Sequence, residues 1–291
     1  MTDGSLRFAK YHGAGNDFLL VEDLEDAVTL TPDLVVALCD RFRGAGADGV
    51  IRITRSDVAP YGMELWNADG GLAEMSGNGM RCLVTYLFDR GLVTEPILDV
   101  DTPAGVKRVW MDVRGDRVTS ARVDMGPPAL ERRRIPMAGS PEDRFVDQPF
   151  PDAGPSYRAA AVSMGNPHLV LVGTEDLEGI DLRRVGPALE HHPDFPERTN
   201  VEFIRPGGEA IDVRVWERGV GETLACGTGA CAIVVAANLM GLAERRATVR
   251  FPGGDLDVEW AEDDHVYLSG PAVFVYEGRM NPSWMREGAA R

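Results

Sequence analysis

Two stretches of this chain repeat each other 150 positions apart, and no other feature constrains the fold as strongly. Gly15-Asn16 answers to Gly165-Asn166, and each pair leads into an apolar run, Phe18-Leu19-Leu20-Val21 and Leu169-Val170-Leu171-Val172. Trp66 answers to Trp216, and Ser76-Gly77-Asn78-Gly79 to Cys226-Gly227-Thr228-Gly229. Both glycine motifs open an apolar segment ending in Gly-Leu, at Gly91-Leu92 and Gly241-Leu242. Thr102-Pro103-Ala104-Gly105 then answers to Phe251-Pro252-Gly253-Gly254, slipped by one residue. Ordered matches at one offset, a tryptophan among them, indicate duplication. They predict two similar domains related by pseudo-twofold symmetry.

Local patterning gives those domains their content. Val50-Ile51-Arg52-Ile53, Arg122-Val123-Asp124-Met125, Val213-Arg214-Val215-Trp216 and Val273-Phe274-Val275-Tyr276 read as strands between turn signals. Pro32 to Phe42 reads as a helix with Thr31 as N-cap and proline at its first position. Gly77 to Arg90 and Gly227 to Met240 read as one helix per half. The second is apolar nearly all round, from Ala230 to Ala237, and is expected to be buried. An α+β fold satisfies this pattern, each domain a sheet wrapped around a central helix; an alternating parallel α/β fold does not. The expected boundaries are 1–127, completed by a strand near 272–279, then 128–271, and a tail at 280–291. Pro127-Pro128 through Pro155 reads as a linker or long loop, its Glu131-Arg132-Arg133-Arg134 run a solvated surface. The polar tail from Asn281 to Arg291 is expected to fray.

Composition removes several classes of function. A net charge of −16 opposes a nucleic-acid partner, which needs a positive footprint. No run of about 18 apolar residues suggests a membrane span, and Met1 to Lys10 lacks the pattern of a signal peptide. Cys39, Cys82, Cys226 and Cys231 sit at irregular spacings that do not form a disulfide framework, so a reducing cytoplasm is expected. Lys10 and Lys107 are the lysines of the chain. Neither lies in a site-like segment, which argues against a pyridoxal Schiff base. Gly44 to Gly49 fits G-x-G-x-x-G, but between a helix and a strand, the reverse of the dinucleotide-binding order. No cluster shows metal-ligand spacing.

The helix starts carry the chemistry. A cysteine just before a helix meets unpaired N–H groups and the positive end of the helix dipole, both of which favour thiolate. The same N–H groups can hold a carboxylate, with glycines allowing close approach. Cys226, ahead of Gly227-Thr228, is therefore a candidate for proton abstraction beside a bound carboxylate. Ser76, ahead of Gly77-Asn78, is the counterpart; it reads equally as an N-cap. Cys82 cannot replace it, since six residues of helix are about 9 Å of rise and about 240° of rotation. Cys231 and Cys39 read as core. Asn16 and Asn166, equivalent in the repeat, serve either a turn or a ligand.

Taken together these segments resemble diaminopimelate epimerase, from Phe8 to about Gly278. The resemblance rests on Lys10 to Phe18, Asn67-Ala68-Asp69-Gly70, Gly77 to Cys82, Gly165-Asn166-Pro167-His168, Arg198 to Phe203, and Trp216 to Ala232. It implies an isomerase that converts LL- to meso-diaminopimelate in lysine biosynthesis, without cofactor or metal. It implies Cys226 as one acid–base residue and Asn16, Asn67, Gly77, Asn78, Asn166, Asn200, Glu217, Arg218, Gly227 and Thr228 as substrate contacts. His168 and Glu217 would tune the thiol. The family places its second acid–base cysteine where this chain has Ser76, and a polar side chain often stands where this chain has Gly49. Serine there has three readings: an introduced change, a relative that uses another group on one face, or a binding homologue without full epimerase activity. A related racemase with another substrate, a Cys226–His168–Glu217 hydrolase and a homodimer also stay open.

Overall fold

The computed structural model describes residues 5–288, apart from 155, 175 and 209. The chain begins with β1 (Leu6–Gly13), β2 (Asn16–Glu22), helix α1 (Pro32–Cys39), β3 (Gly49–Thr54), β4 (Tyr61–Asn67) and β5 (Leu72–Ala73). Helix α2 (Gly77–Asp89) leads to β6 (Ile97–Asp101), β7 (Lys107–Arg114) and β8 (Arg117–Asp124). Next come β9 (Gln148–Pro149), β10 (Arg158–Ser163), β11 (Pro167–Val172), α3 (Leu182–Glu190), β12 (Asn200–Pro206), β13 (Ala210–Glu217) and β14 (Gly221–Thr223). Helix α4 (Gly227–Leu239), β15 (Arg246–Phe251), β16 (Gly254–Trp260), β17 (Val266–Gly270), β18 (Val273–Met280) and α5 (Pro282–Gly288) complete it.

These elements fall into two units, one running to Val123 and resuming at Gly270, the other spanning Asp124–Ser269. In the first, hydrogen bonding runs β18–β1–β2–β3–β4–β6–β7–β8, with β5 on β4. The second runs β9–β10–β11–β12–β13–β15–β16–β17, with β14 on β13. Each unit has two parallel pairs, β2–β3 and β4–β6 in one, β11–β12 and β13–β15 in the other. A helix bridges each parallel pair, as such connections require: α1, α2, α3 and α4 in turn.

The central helices are α2 and α4. Ala230 through Ala237 are all fully buried, and α4 packs on β10, β11, β12, β15 and β16. Its small residues let the sheet close around it; α2 is wrapped the same way by β1, β2, β3, β4, β7 and β18. Buried runs such as Phe18–Val21 and Leu169–Leu171 have protein on both faces, which is why they read as continuous apolar segments rather than alternating ones.

Three expectations are corrected. Helix α1 stops at Cys39, not Phe42, because Asp40 Oδ1 accepts the N–H groups of Phe42 and Arg43 and turns the chain out, leaving Phe42 98% exposed. The stretch after Pro128 is no free linker. Ile135, Met137, Phe145 and Phe150 are buried in one cluster with Tyr157, Phe195 and Phe203; the apolar residues among the prolines and charges outweigh the loop signal. Pro155, its far end, lies outside the described residues. The tail forms α5, and Trp284 and Met285 pack on the cluster holding Leu34, Val35 and Leu38, with Trp284 Nε1 donating to Arg43 O at 3.2 Å. Residues 289–291 lie outside the described residues.

Strand register refines the repeat. Phe18 pairs with Gly49 and Val50 with Trp66; His168 pairs with Asn200 and Val201 with Trp216. Strand β12 is thus one residue out of the fixed offset. Gly49 answers to Asn200, and Ile51 to Glu202.

Candidate active site

In the second unit the helix start forms around an extended residue. Cys226 has φ −130° and ψ 117°, and its Sγ accepts the Gly229 N–H at 3.3 Å, with Thr228 Oγ1 3.5 Å away. Glu217, ending β13, accepts from Thr223 Oγ1. Fully buried His168 places Nδ1 2.6 Å from Glu202 Oε1 and Nε2 3.0 Å from Asn166 Oδ1. Asn200 Nδ2 donates to Pro167 O at 2.9 Å, and its Oδ1 accepts the Arg218 N–H at 2.9 Å, tying β11 to the turn after β13. Arg218 itself donates to Glu197 O at 3.0 Å. Glu190, buried on α3, holds that turn from below by accepting from Trp216 Nε1 and the Gly219 N–H.

Electrostatics here run against the expectation for a helix start. Burial pushes the Cys226 thiol well above its usual range, and the charges of Glu217 and Glu202 push the same way. The Thr228 hydroxyl and the Gly229 N–H oppose them and are outweighed. Burial likewise raises the Glu217 carboxyl, against hydrogen bonds from Thr223 and Cys226 and the charge of His168. One N–H and a helix dipole worth about 0.3–1 kcal/mol cannot offset desolvation beside two carboxyl groups. Without a ligand, Cys226 is a thiol.

The first unit has the same geometry with different chemistry. Ser76 caps α2 at φ −141° and ψ 123°, its Oγ accepting the Gly79 N–H at 3.1 Å. Buried Asn78 donates to Asn16 Oδ1 at 3.1 Å, and Asn16 Nδ2 donates to Asp48 Oδ2 at 2.9 Å. Arg81, fully buried one turn into α2, donates to Asn78 Oδ1 at 2.8 Å. A Cβ on Gly13 would stand 2.8 Å from Arg81 Nη2, so that guanidinium needs glycine there. Asp17 carries Lys10 at 2.7 Å and Arg41 at 2.8 Å. Asn67 lies exposed at the end of β4, its N–H on Gly71 O. Among the described residues no group of three His, Cys, Asp or Glu is placed to hold a metal ion.

The family model described as diaminopimelate epimerase matches residues 8–131 and 160–275, which include both helix starts. The chain belongs to the diaminopimelate epimerase family. Diaminopimelate epimerases from Pelotomaculum thermopropionicum and Moorella thermoacetica are 49% and 47% identical, each match covering 94% of this chain and 98% of the relative. That of Synechocystis sp. is 46% identical over 94% of this chain and 99% of its own. Among solved structures, a Bacillus anthracis phenazine biosynthesis protein of the PhzF family superposes with a TM-score of 0.70 at 16% identity, over 95% and 99% of the two chains. A probable proline racemase from Agrobacterium radiobacter gives 0.67 at 17%, over 94% and 92%. These two show the fold alone.

Of the residues expected at a diaminopimelate epimerase site, Cys226, Gly227, Thr228, Glu217, His168 and Asn166 gather at the start of α4. Ser76, Gly77, Asn78 and Asn16 gather at the start of α2. Asn200 has its carbonyl and one amide hydrogen committed to backbone. Sequence reasoning missed Glu202, Glu190, Asp48 and Arg81 as partners of site residues. For Glu202 a signal exists, an acid inside the short run Val201 to Ile204 whose other residues are apolar.

Proposed function

We propose that this chain epimerises LL-diaminopimelate to meso-diaminopimelate by proton transfer at the α-carbon, with Cys226 as one acid–base group and Ser76 as the residue at the equivalent position of the other half. The observation that carries the reading is Cys226 itself, a buried thiol on the Gly229 N–H at the start of α4 beside Glu217, in a chain of the diaminopimelate epimerase family. In this reading the helix-start N–H groups of Gly227-Thr228 hold the substrate carboxylate, toward which charge moves as the α-carbon–hydrogen bond breaks, and Gly77 and Asn78 are substrate contacts. Asn16, Asn67, Asn166, Asn200, Glu217 and Arg218 contact the amino acid. Inversion needs a proton taken from one face and another delivered to the opposite face, and a hydroxyl accepts a proton far less readily than a thiolate.

We read the reaction as independent of cofactor and metal. Lys10 is engaged with Asp17 and Gly46 O, which supports the absence of a Schiff-base lysine. All four cysteines are free, consistent with a cytoplasmic setting in lysine biosynthesis, and no helix among the described residues is long and apolar enough to cross a membrane. The partner is a small amino acid, not a nucleic acid.

The decisive experiment incubates the protein separately with LL- and meso-diaminopimelate in deuterated water and follows deuterium uptake and stereochemistry, beside Ser76→Cys. The variant is expected to raise epimerisation by about two orders of magnitude or more, the scale of a general acid–base contribution. Unchanged turnover with exchange already fast would refute a two-thiol requirement. Ligand-induced stabilisation with no exchange in either protein would instead mark a binding homologue, one of the three readings of Ser76.

A further inference from the structure

Helices α2 and α4 start alike but differ one turn in. The position of Cys231 in α4 is taken in α2 by Arg81, and both residues are fully buried. The equivalent helix thus packs with a small side chain, while the first unit buries a guanidinium, which costs free energy unless its N–H groups find acceptors. Room for that group is made on the neighbouring strand. A Cβ on Gly13 would stand 2.8 Å from Arg81 Nη2 and 3.6 Å from Asn78 Cβ, and Gly13 pairs with Asn16 between β1 and β2. A sheet wrapped around a helix does not demand this arrangement, so the contacts of the guanidinium show its use.

We propose that Arg81 is a positioning residue: through Asn78 it fixes the side-chain amide of Asn16 in one sense before an amino acid arrives. A guanidinium only donates, and Arg81 Nη2 donates to Asn78 Oδ1 at 2.8 Å. That contact turns the Asn78 NH2 to Asn16, where it donates to Oδ1 at 3.1 Å. Asn16 Nδ2 in turn donates to Asp48 Oδ2 at 2.9 Å. The far end of this chain of bonds agrees with the near one. Asp48 Oδ2 also accepts the Asp17 N–H at 3.1 Å, and its Oδ1 accepts from Arg41 at 2.7 Å. Reversing the Asn78 amide sets NH2 against the guanidinium, and reversing that of Asn16 sets oxygen against a carboxyl oxygen; either leaves a polar group facing its like. In the observed sense Asn16 keeps one amide hydrogen and one oxygen lone pair for a ligand. Asn78 is buried and Asn16 half-buried, so Asn16 is the one of the two a ligand reaches. Arg81 Nε also donates to Pro271 O at 3.5 Å, a tie to the turn before β18 that does not involve Asn78.

The consequence for binding rests on the reading that Asn16 contacts the amino acid; the ordering of its amide does not, so the test has an arm without ligand. Gly13→Ala displaces the guanidinium while leaving Arg81 in the chain, at a backbone position whose φ is not positive and which alanine therefore tolerates. Arg81→Met removes the donor. Nitrogen-15 relaxation of the Asn16 side-chain amide is expected to show a rigid NH2 in the parent and a mobile one in both variants, the order parameter falling from about 0.8 to below about 0.6. Calorimetry is expected to show each variant binding meso-diaminopimelate about threefold to tenfold more weakly, the effect of a side chain that must now be ordered on binding. Gly13→Ala adds nothing in an Arg81→Met background, which has no guanidinium to displace, and Arg81→Met adds nothing in an Asn16→Ala background. If Arg81→Met fails to fold, Gly13→Ala decides the matter by itself. An Asn16 amide as ordered in the variants as in the parent, unchanged binding, or a Gly13→Ala loss that persists in the Arg81→Met background overturns the proposal. An amide that loosens as expected, in a protein whose parent form binds no meso-diaminopimelate, upholds the ordering role and counts against the epimerase reading alone.

Discussion

At the scale of single residues, the balance at Cys226 sets what the site does before substrate arrives. Burial and two carboxyl groups hold its proton, and the helix start only moderates them. The group that raises a thiol's proton affinity also slows its alkylation at neutral pH, because only thiolate reacts. Iodoacetamide labelling of Cys226, measured against Cys226→Ala as blank, is expected to be slow at pH 7 and to rise with pH to a midpoint above about 8.5, the ordinary thiol value. Glu217→Gln removes a negative neighbour and moves that midpoint to lower pH; a midpoint unmoved or raised would contradict the assigned coupling. Cys82 and Cys39 contribute little background, since burial first, and in Cys39 the charge of Asp48 next, raises each to about 12. The places of Ser76 and Cys226 at the helix starts were legible in the sequence because a helix start declares itself locally. The direction of the Cys226 shift was not, because it depends first on burial and then on the carboxyl groups of Glu217 and of Glu202, the latter 24 positions away in sequence and brought alongside by strand register.

At the scale of elements, α3 and the turn after β13 show how the second site is braced. Trp216 lies against Gly186 so closely that a Cβ there would fall 2.4 Å from the indole. The same indole donates to Glu190, which also holds the Gly219 N–H. Gly186→Ala must push Trp216 aside, and overpacking of this kind is expected to cost about 1–3 kcal/mol. A denaturant midpoint equal to that of the parent would show the packing to be loose. The helices α1, α2 and α4 were readable from caps and apolar patterning, α2 and α4 to within one residue of their ends. The packed stretch around Ile135, Phe145 and Phe150 was not, because proline and charge dominate its local composition while its few apolar side chains find their cluster only in three dimensions. Helix α5 was hidden for the same reason: Trp284 and Met285 order a segment whose composition alone suggests fraying.

At the scale of the whole molecule, the chain leaves its first unit at Asp124 and returns at Gly270 to add β18 beside β1. That last strand shows four successive apolar residues to solvent, Val273, Phe274, Val275 and Tyr276, between 39% and 48% exposed. Such a run supports a homodimer, and light scattering coupled to gel filtration is expected to give twice the chain mass of 31.6 kDa. Phe274→Glu should shift that mass toward the monomer, and a monomeric parent would reject the assembly. By itself the sequence determined the duplication, the β-rich units around buried helices and the family, because these are written in local periodicity, in caps and in motifs that stay contiguous. Only the tertiary structure decided that β12 slips by one residue, that Glu202 and His168 replace an apolar pair, and that the Cys226 thiol keeps its proton. Those outcomes depend on desolvation and on charges from separate strands, and neither exists until the chain has folded.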